Sequence, residues 1–455
     1  MQKKIGIAVL GGGPAGVATA TGLVRLGYFV TLFAAPRHFA ALESVSEHVA
    51  EGLRQLGLTE ALATLSAPSP RRFFWHGQED AHQEERLVYR PDFDAALLRD
   101  ARRLGVRVEE AEVKSWQPDG RRLTVKVQLP HGGGVRSLHT DFVVEARGRT
   151  APFPHHVTGR RRGAETMSLL QYWHPGAATG NEHPGSAVQS FADGWVWFAR
   201  GANGRVYSQL TLDVEQTQLP SKAHLNKFCR GYLKRLEISR EFIKGATPVD
   251  LPYPRASTSV LTYDMADEKS LRVGDAAVAG DPLPGNGILL ALSTALQASA
   301  VIHTQLRFPE RAVLAQEFHR QRLSDLFYRF ARTGRDFYAK ETHWPETAFW
   351  QTRHHWPDAE PLYPPTTPQT VDITYLPVLA GDEIIETEVV ATPEHPLGIW
   401  QVDGVEVAPL LRLARSAKSE AGARHALSGL LNHSSQHAAQ WLFWLQEQGW
   451  LADFE

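Results

Sequence analysis

The chain reads as an α/β protein with one domain on a parallel sheet, a second mainly antiparallel sheet domain, and a small α+β C-terminal domain. Three observations carry this reading. An apolar run at 5–10 passes straight into Gly11-Gly12-Gly13-Pro14-Ala15-Gly16 and an apolar helical stretch at 17–26. Four short β-patterned runs, at 166–174, 187–191, 194–200 and 205–212, alternate with turn signals such as Pro175-Gly176 and Ala202-Asn203-Gly204. An aperiodic, proline-rich stretch at 357–368 then precedes residues with an apolar pattern of their own.

The first observation is a strand, a Gly-x-Gly-x-x-Gly turn and a helix in the order that a dinucleotide needs. Gly11 makes the tight turn, Gly13 admits the pyrophosphate to the backbone, and Gly16 lets helix and strand pack closely. Pro14 and Ala15 open the helix, whose unpaired N–H groups and partial positive charge face the phosphates. The domain is therefore expected to be Rossmann-like. Its next strand, 29–33, should end in an acid that binds the adenosine ribose; it ends instead in Ala34-Ala35-Pro36-Arg37, so ribose recognition differs or passes to Arg37.

A second segment narrows the dinucleotide. Residues 271–277 read as a buried strand ending in Gly274-Asp275, followed by Asp281-Pro282-Leu283-Pro284-Gly285-Asn286-Gly287-Ile288 and a helix to about residue 304. This resembles the second FAD motif of the flavoprotein monooxygenases with a p-hydroxybenzoate hydroxylase-like fold. The resemblance implies that Asp275, after Gly274, binds a ribityl hydroxyl. It also implies that Pro282, Gly285, Asn286, Gly287 and Ile288 face the pyrimidine edge of the flavin, where a helix N-terminus stabilises negative charge. Two further stretches lie between these motifs. Tyr89-Arg90-Pro91-Asp92-Phe93-Asp94 resembles the family's Arg-x-x-Phe-Asp segment, in which the arginine, here Arg90, lies along the cofactor. Residues 141–149, ending Glu145-Ala146-Arg147-Gly148-Arg149, are similar to the piece that usually reads Asp-Ala-x-Gly-Arg. Ser44 and Val113 complete the cofactor contacts that the resemblance implies. FAD is the expected cofactor and O2 the co-substrate. Only one pyrophosphate fingerprint is present, so electrons come from transiently docked NAD(P)H or from reduced flavin supplied by a partner reductase.

Composition sets bounds on the rest. The 455 residues are 43% hydrophobic and 22% charged with a formal net charge of −2, so the basic footprint of a nucleic-acid binder is absent. Cys229 is the single cysteine, which excludes an intramolecular disulfide, and it reads as a small buried hydrophobe. His155-His156 and His354-His355 are adjacent pairs without metal-ligand spacing, so no metal is expected. Neither a secretory signal nor an apolar stretch of about 18–20 residues is apparent, and a cytoplasmic protein is expected. The expected FAD domain takes 1–70, 90–165 and 255–350 and includes a long helix at 314–338. A substrate-side sheet domain takes 71–89 and 166–254, a linker 357–370, and a winged-helix-like or docking domain 371–455. In that last domain, strands are expected at 371–379, 384–391 and 398–402 and helices at 407–414 and 433–448. Trp444 and Trp450 read as core residues.

FAD leaves the reaction open. Gly194-Trp195-Val196-Trp197 resembles the Gly-Trp-x-Trp signature of flavin-dependent tryptophan halogenases. Glu43-Ser44-Val45 is similar to their Glu-Ser-Leu loop, Asp281-Pro282-Leu283 to their flavin loop, and Phe337-Tyr338 with Phe349-Trp350 to later pieces. Plain sheet packing is the other account of the alternating tryptophans. Halogenases deliver the halogen through a lysine after the first third of the FAD domain, and this chain has none between Lys4 and Lys114. Oxygen insertion into an aromatic ring is then the expected chemistry, with Glu43 and His48 as candidate bases in a loop and helix start. The whole chain is similar to the flavoprotein monooxygenases that mature quinone-cofactor enzymes by hydroxylating a tryptophan, as in quinohaemoprotein amine dehydrogenase. That similarity implies a peptide or protein substrate. The alternatives are a halogenase, a small-aromatic hydroxylase, a geranylgeranyl-type isoprenoid reductase, and an assembly factor that only holds FAD. Gln171, Tyr172, His174, Gln189, Arg200 and Gln209 make the strands polar for a lipid tunnel.

Overall fold

The computed structural model describes residues 5–152, 159–174, 184–201, 204–431 and 435–454. His155, His156, the Pro175-Gly176 turn, Ala202-Asn203 and the expected helix start at His433 lie outside the described residues. One compact unit comprises Met1–Ser299 and Leu323–Ala359; the other comprises Ala300–Arg322 and Glu360–Glu455.

In the first unit, five parallel strands stand in the order Ser270–Arg272, Phe142–Glu145, Gly6–Leu10, Phe29–Ala34 and Arg107–Glu110. The three central strands are almost wholly buried, as expected of a parallel sheet covered on both faces. Helix Pro14–Arg25 follows the first strand. An antiparallel meander, Glu112–Asp119, Arg122–Gln128 and Val135–Thr140, returns the chain to the sheet centre. The strand expected at 271–277 is shorter, Ser270–Arg272, because Gly274 at φ +60° turns the chain into a 3-10 segment, Gly274–Ala276.

A large mixed sheet occupies the same unit. Thr166–His174, Val206–Asp213, Gly194–Arg200 and Gly185–Phe191 pair antiparallel in that order, and the last joins Ser69–Trp75 in parallel. Gln78–Tyr89 and Leu42–Val45 continue the sheet. The four runs expected between 166 and 212 are thus strands to within two residues. Helices Leu225–Leu233 and Glu237–Ile243, which the strand-focused reading passed over, supply Leu233, Ile238 and Phe242 to a core with Leu169, Phe198 and Leu212.

The helix expected from the flavin loop to about residue 304 is two, Gly287–Leu296 and Ala298–Arg307. Residues 287–307 are also one stretch long and apolar enough to cross a bilayer, which the sequence reading did not register. Because 56% of its most apolar window is buried inside the protein, it has the character of a core helix.

The second unit differs from the expected C-terminal domain by including Ala300–Arg322. Ile384 N donates to Thr304 Oγ1 at 2.8 Å and Arg311 pairs with Glu383 at 3.0 Å, so the hairpin of Asp372–Ala380 and Glu383–Ala391 is anchored to that segment. Asp403 and Gly404, both at positive φ, close a small hairpin of Gln401–Val402 and Val405–Glu406. Helices Val407–Ser416, Glu420–Leu431 and Ser435–Glu447 bury Leu410, Leu411, Leu427, Leu442 and Trp450 together. Helix Glu420–Leu431 was not expected from the pattern. Trp444 packs partly buried against this core, the place its spacing suggested.

Candidate active site

The two glycine motifs meet at the end of the parallel sheet. A Cβ on Gly11, at φ +125°, would lie 2.3 Å from Ala146 O, and one on Gly16 would lie 2.0 Å from Gly11 O. Both glycines are therefore required by backbone packing. Gly13 differs: a Cβ there meets nothing within 4 Å, so no protein contact demands its lack of a side chain. It caps helix Pro14–Arg25 without a side-chain hydrogen bond, so the helix keeps first-turn N–H groups for an anion. Asn286 likewise caps helix Gly287–Leu296 with no side-chain bond, and Gly287 has the same open surroundings as Gly13. Two open glycines at two uncapped helix starts are a cradle that fits a pyrophosphate and an electron-rich ring edge.

The residues expected to contact the cofactor fall around this cradle. Pro14, Ala15 and Gly16 form the buried first turn of their helix, and a Cβ on Gly274 would approach Ala15 Cβ to 2.8 Å. Gly274 N donates to Thr294 Oγ1 at 2.7 Å. Asp275 pairs with Arg149 at 3.3 Å, which joins the second motif to the 145–149 loop. Val113 packs with Ala8, Leu10 and Phe33, and its carbonyl accepts Arg147 Nη1 at 3.0 Å. Pro282 is half-buried, Ile288 is buried, and Gly285 turns the loop at φ +72°.

Arg90 opens helix Arg90–Arg103 with its side chain 5% exposed, bonded to Glu43 at 3.0 Å and to Asp94 at 2.8 Å. Arg37 also binds Asp94, and Arg255 reaches Glu43 at 3.3 Å. Burial opposes the charge on Glu43, but Arg90, Arg255 and Arg37 outweigh it and hold the carboxyl down to about 2. Glu43 stands on strand Leu42–Val45 rather than in a loop, and a carboxylate held so strongly ionised is a poor base. His48 is exposed on helix Glu47–Leu56. Of the two candidate bases, Glu43 is thus a firmly held anion on a strand and His48 an exposed helix residue.

Three contributors had no expected site role, although Asp281, Tyr172 and Trp197 stand in stretches already noted. Arg71 is buried, donates to Leu283 O at 2.8 Å, and sits with Ser44 Oγ against Gly285, where a Cβ would come within 2.9 Å of both side chains. Its signal was present: Ser69–Trp75 buries alternate residues, which puts Arg71 on the face of Phe73 and Trp75. Asp281 is the second contributor. Its carboxylate accepts Tyr338 Oη at 3.1 Å and Leu283 N at 2.9 Å, and burial raises its proton affinity against those bonds. Tyr338 Oη in turn accepts Trp195 Nε1 at 3.0 Å. This chain of bonds joins the Gly-Trp-x-Trp strand to the flavin loop, so Trp195 does more than pack. The third is an aromatic cluster in which Phe39 stacks on Tyr253 at 4.8 Å, while Tyr207 lies 5.0 Å from Tyr172 and 5.8 Å from Trp197. It belongs to the same apolar core as Leu283 of the flavin loop. Tyr172 Oη and Trp197 Nε1 are buried there without a hydrogen-bond partner among the described residues. Cys229 is buried within helix Leu225–Leu233, and burial pushes its thiol up to about 12.

A parallel sheet with two glycine cradles, beside a mixed sheet carrying aromatic side chains, defines an FAD-dependent oxidoreductase. Residues 4–179 match the FAD binding domain family. The chain belongs to the FAD-dependent monooxygenase superfamily that includes p-hydroxybenzoate hydroxylase and the tryptophan halogenases. It is similar in particular to the solved structure of QhpG, a peptidyl tryptophan dihydroxylase essential for tryptophylquinone cofactor biogenesis. That likeness has 42% identity and a TM-score of 0.85, covering 99% of this chain and 100% of that one. A tryptophan 2-halogenase of Chondromyces crocatus is 27% identical over 76% of this chain and 69% of its own length. The flavin-dependent halogenase CmlS shares the fold over 99% of this chain and 96% of its own, with a TM-score of 0.75 at 19% identity.

Proposed function

We propose that this chain hydroxylates a tryptophan side chain of a peptide or protein substrate during maturation of a tryptophan-derived quinone cofactor. The single observation that carries this reading is the 42% identity to QhpG, which runs the length of both chains and so includes the C-terminal unit. The missing lysine between Lys4 and Lys114 supports oxygen rather than halogen transfer.

Reduced FAD would supply the two electrons that activate O2, one atom of which enters the electron-rich ring while the other leaves as water. The chain does the rest. The N-termini of helices Pro14–Arg25 and Gly287–Leu296 would hold the pyrophosphate and the flavin edge, and Asp275 and Arg90 would lie along the cofactor. Arg71 fixes the flavin loop through Leu283 O. Phe39, Tyr253, Tyr207 and Trp197 form an apolar wall that keeps water from the reacting ring. Tyr172 Oη and Trp197 Nε1, buried without a partner among the described residues, would meet polar atoms of the substrate. Asp281, with its raised proton affinity, takes the ring proton, and Tyr338 Oη holds its carboxylate in place.

The reading includes a cytoplasmic site of action, a flavin reductase or NAD(P)H as reductant, and a docking role for the C-terminal unit. Truncation after Pro357 would strip Ala300–Arg322 of the hairpin it anchors. Substitution of the exposed Tyr375 and Phe443 therefore tests docking more cleanly. The function itself is tested by mass spectrometry of the tryptophan-bearing polypeptide after reaction with enzyme, reduced flavin and O2. The expected product gains ~16 or ~32 mass units without halide dependence, as flavin-driven hydroxylation requires. A chlorinated or brominated product would support the halogenase reading that Gly194-Trp195-Val196-Trp197 favours.

A further inference from the structure

The hairpin turn at His76-Gly77 brings together side chains that are 265 positions apart in the chain. Glu341 is fully buried, and both its oxygens are occupied. Oε2 accepts His76 N at 2.8 Å and Ser190 Oγ at 2.5 Å; Oε1 accepts His343 N at 2.8 Å and faces His343 Nδ1 at 3.3 Å. Glu341 accepts from three donors already, and a ring proton on His343 Nδ1, which faces Oε1, completes that set and leaves the Nε2 lone pair free. His76 Nδ1 is engaged by Thr342 Oγ1 at 2.6 Å, and with Thr342 accepting, its lone pair also lies on Nε2. The two rings are exposed and neighbours, with centroids 4.7 Å apart and planes inclined at 49°. A donor atom from each of His76, Glu341 and His343 lies within 4.8 Å of the others.

We infer that His76 and His343 form a surface site for a divalent transition-metal ion, bound through the two Nε2 atoms and oriented by Glu341 and Thr342. Glu341 is the orienting group and not a ligand, because four hydrogen bonds use its lone pairs. A histidine that donates its other ring N–H to a buried carboxylate is the usual arrangement behind a metal ligand. An ion held by both nitrogens would lie about 2.0–2.1 Å from each for zinc. Two imidazoles select Zn2+, Cu2+ or Ni2+ over Mg2+ or Ca2+. The remaining positions face solvent, since both histidines are exposed, and take water or an incoming carboxylate. The ion would tie the turn after strand Ser69–Trp75 to the segment that follows Tyr338.

The test is calorimetric titration of the FAD-loaded, full-length protein with Zn2+ alone, beside His343→Ala and His76→Asn. Asparagine tolerates the positive φ of position 76. One equivalent should bind to the wild type, and each variant should lose at least about tenfold in affinity at unchanged FAD content. Cu2+ bound in the same place should show hyperfine coupling to two imidazole nitrogens by electron paramagnetic resonance. A wild type that takes up no zinc overturns the inference, whatever the variants do. Equal affinity in the wild type and both variants overturns it too, by placing the ion on other histidines.

Discussion

Two carboxylates flank the flavin loop and have opposite fates. Glu43, beside Ser44 on strand Leu42–Val45, is surrounded by Arg90, Arg255 and, at longer range, Arg37. Asp281 begins the loop itself and meets a phenol and a backbone N–H, with burial as the largest influence on it. The first is an anion that structures the cofactor region; the second is a group with a raised appetite for a proton. Nearness to the flavin loop thus does not identify a base. The neighbours do, because guanidinium charge and desolvation move a carboxyl in opposite directions.

The comparison can be broken most completely at the cofactor. Gly13→Glu fills the one open glycine of the first turn, and we expect it to abolish FAD uptake while the fold persists, as visible flavin absorbance and circular dichroism would report. Retained FAD would mean that the first turn does not hold the pyrophosphate. Arg90→Met comes next. It leaves Glu43 and Asp94 without their buried partner, at a cost of about 3–5 kcal/mol in denaturant unfolding.

The third test sets the two carboxylates against each other. Asp281→Asn should lower turnover by about 100-fold with FAD retained and leave stability equal or higher, since burial already disfavours its charge. Glu43→Gln should lower stability instead. Its carboxyl is depressed from 4.5 to about 2, so its contribution is complete above pH 4.5 and is lost as the pH falls toward 2. Acid unfolding of the wild type should show that loss, and Glu43→Gln should flatten it. Equal effects of both variants on turnover at full FAD content would end the distinction. The smallest expected effect belongs to Tyr338→Phe, which removes the bonds to Asp281 and Trp195 for about 1–3 kcal/mol. A measurable rise in the kinetic pKa assigned to Asp281 would sharpen its role, because the Tyr338 hydroxyl donates to its ionised form.

Much of this was legible along the chain. Glycine turns and alternating strands are local signals, and Gly11, Gly16 and Gly274 sit where contacts of 2–3 Å to a would-be Cβ, with backbone for the first two and with Ala15 Cβ for the third, explain them. Strands Thr166–His174 and Gly194–Arg200 fall on their expected boundaries because each is a short apolar-rich run bounded by turn residues, a signal that needs no knowledge of the partner strand. The missed helices, Leu225–Leu233 and Glu420–Leu431, are short segments interrupted by Gly231 and by Gly422 and Gly429, which weaken a helical pattern. Their apolar faces gain meaning only from the cores that receive them.

By itself, then, the sequence determined the cofactor, the order of the layers and the absence of a delivering lysine, because each depends on residue types at short spacing or on their lack over a counted stretch. Tertiary structure alone decided which side chains share an environment. Arg255 comes to Glu43 across 212 positions, Tyr338 to Trp195 across 143, and Glu341 to His76 across 265. A proton's affinity for a carboxylate depends on charges and solvent within a few ångströms. That distance is set by folding and is written nowhere in the local pattern.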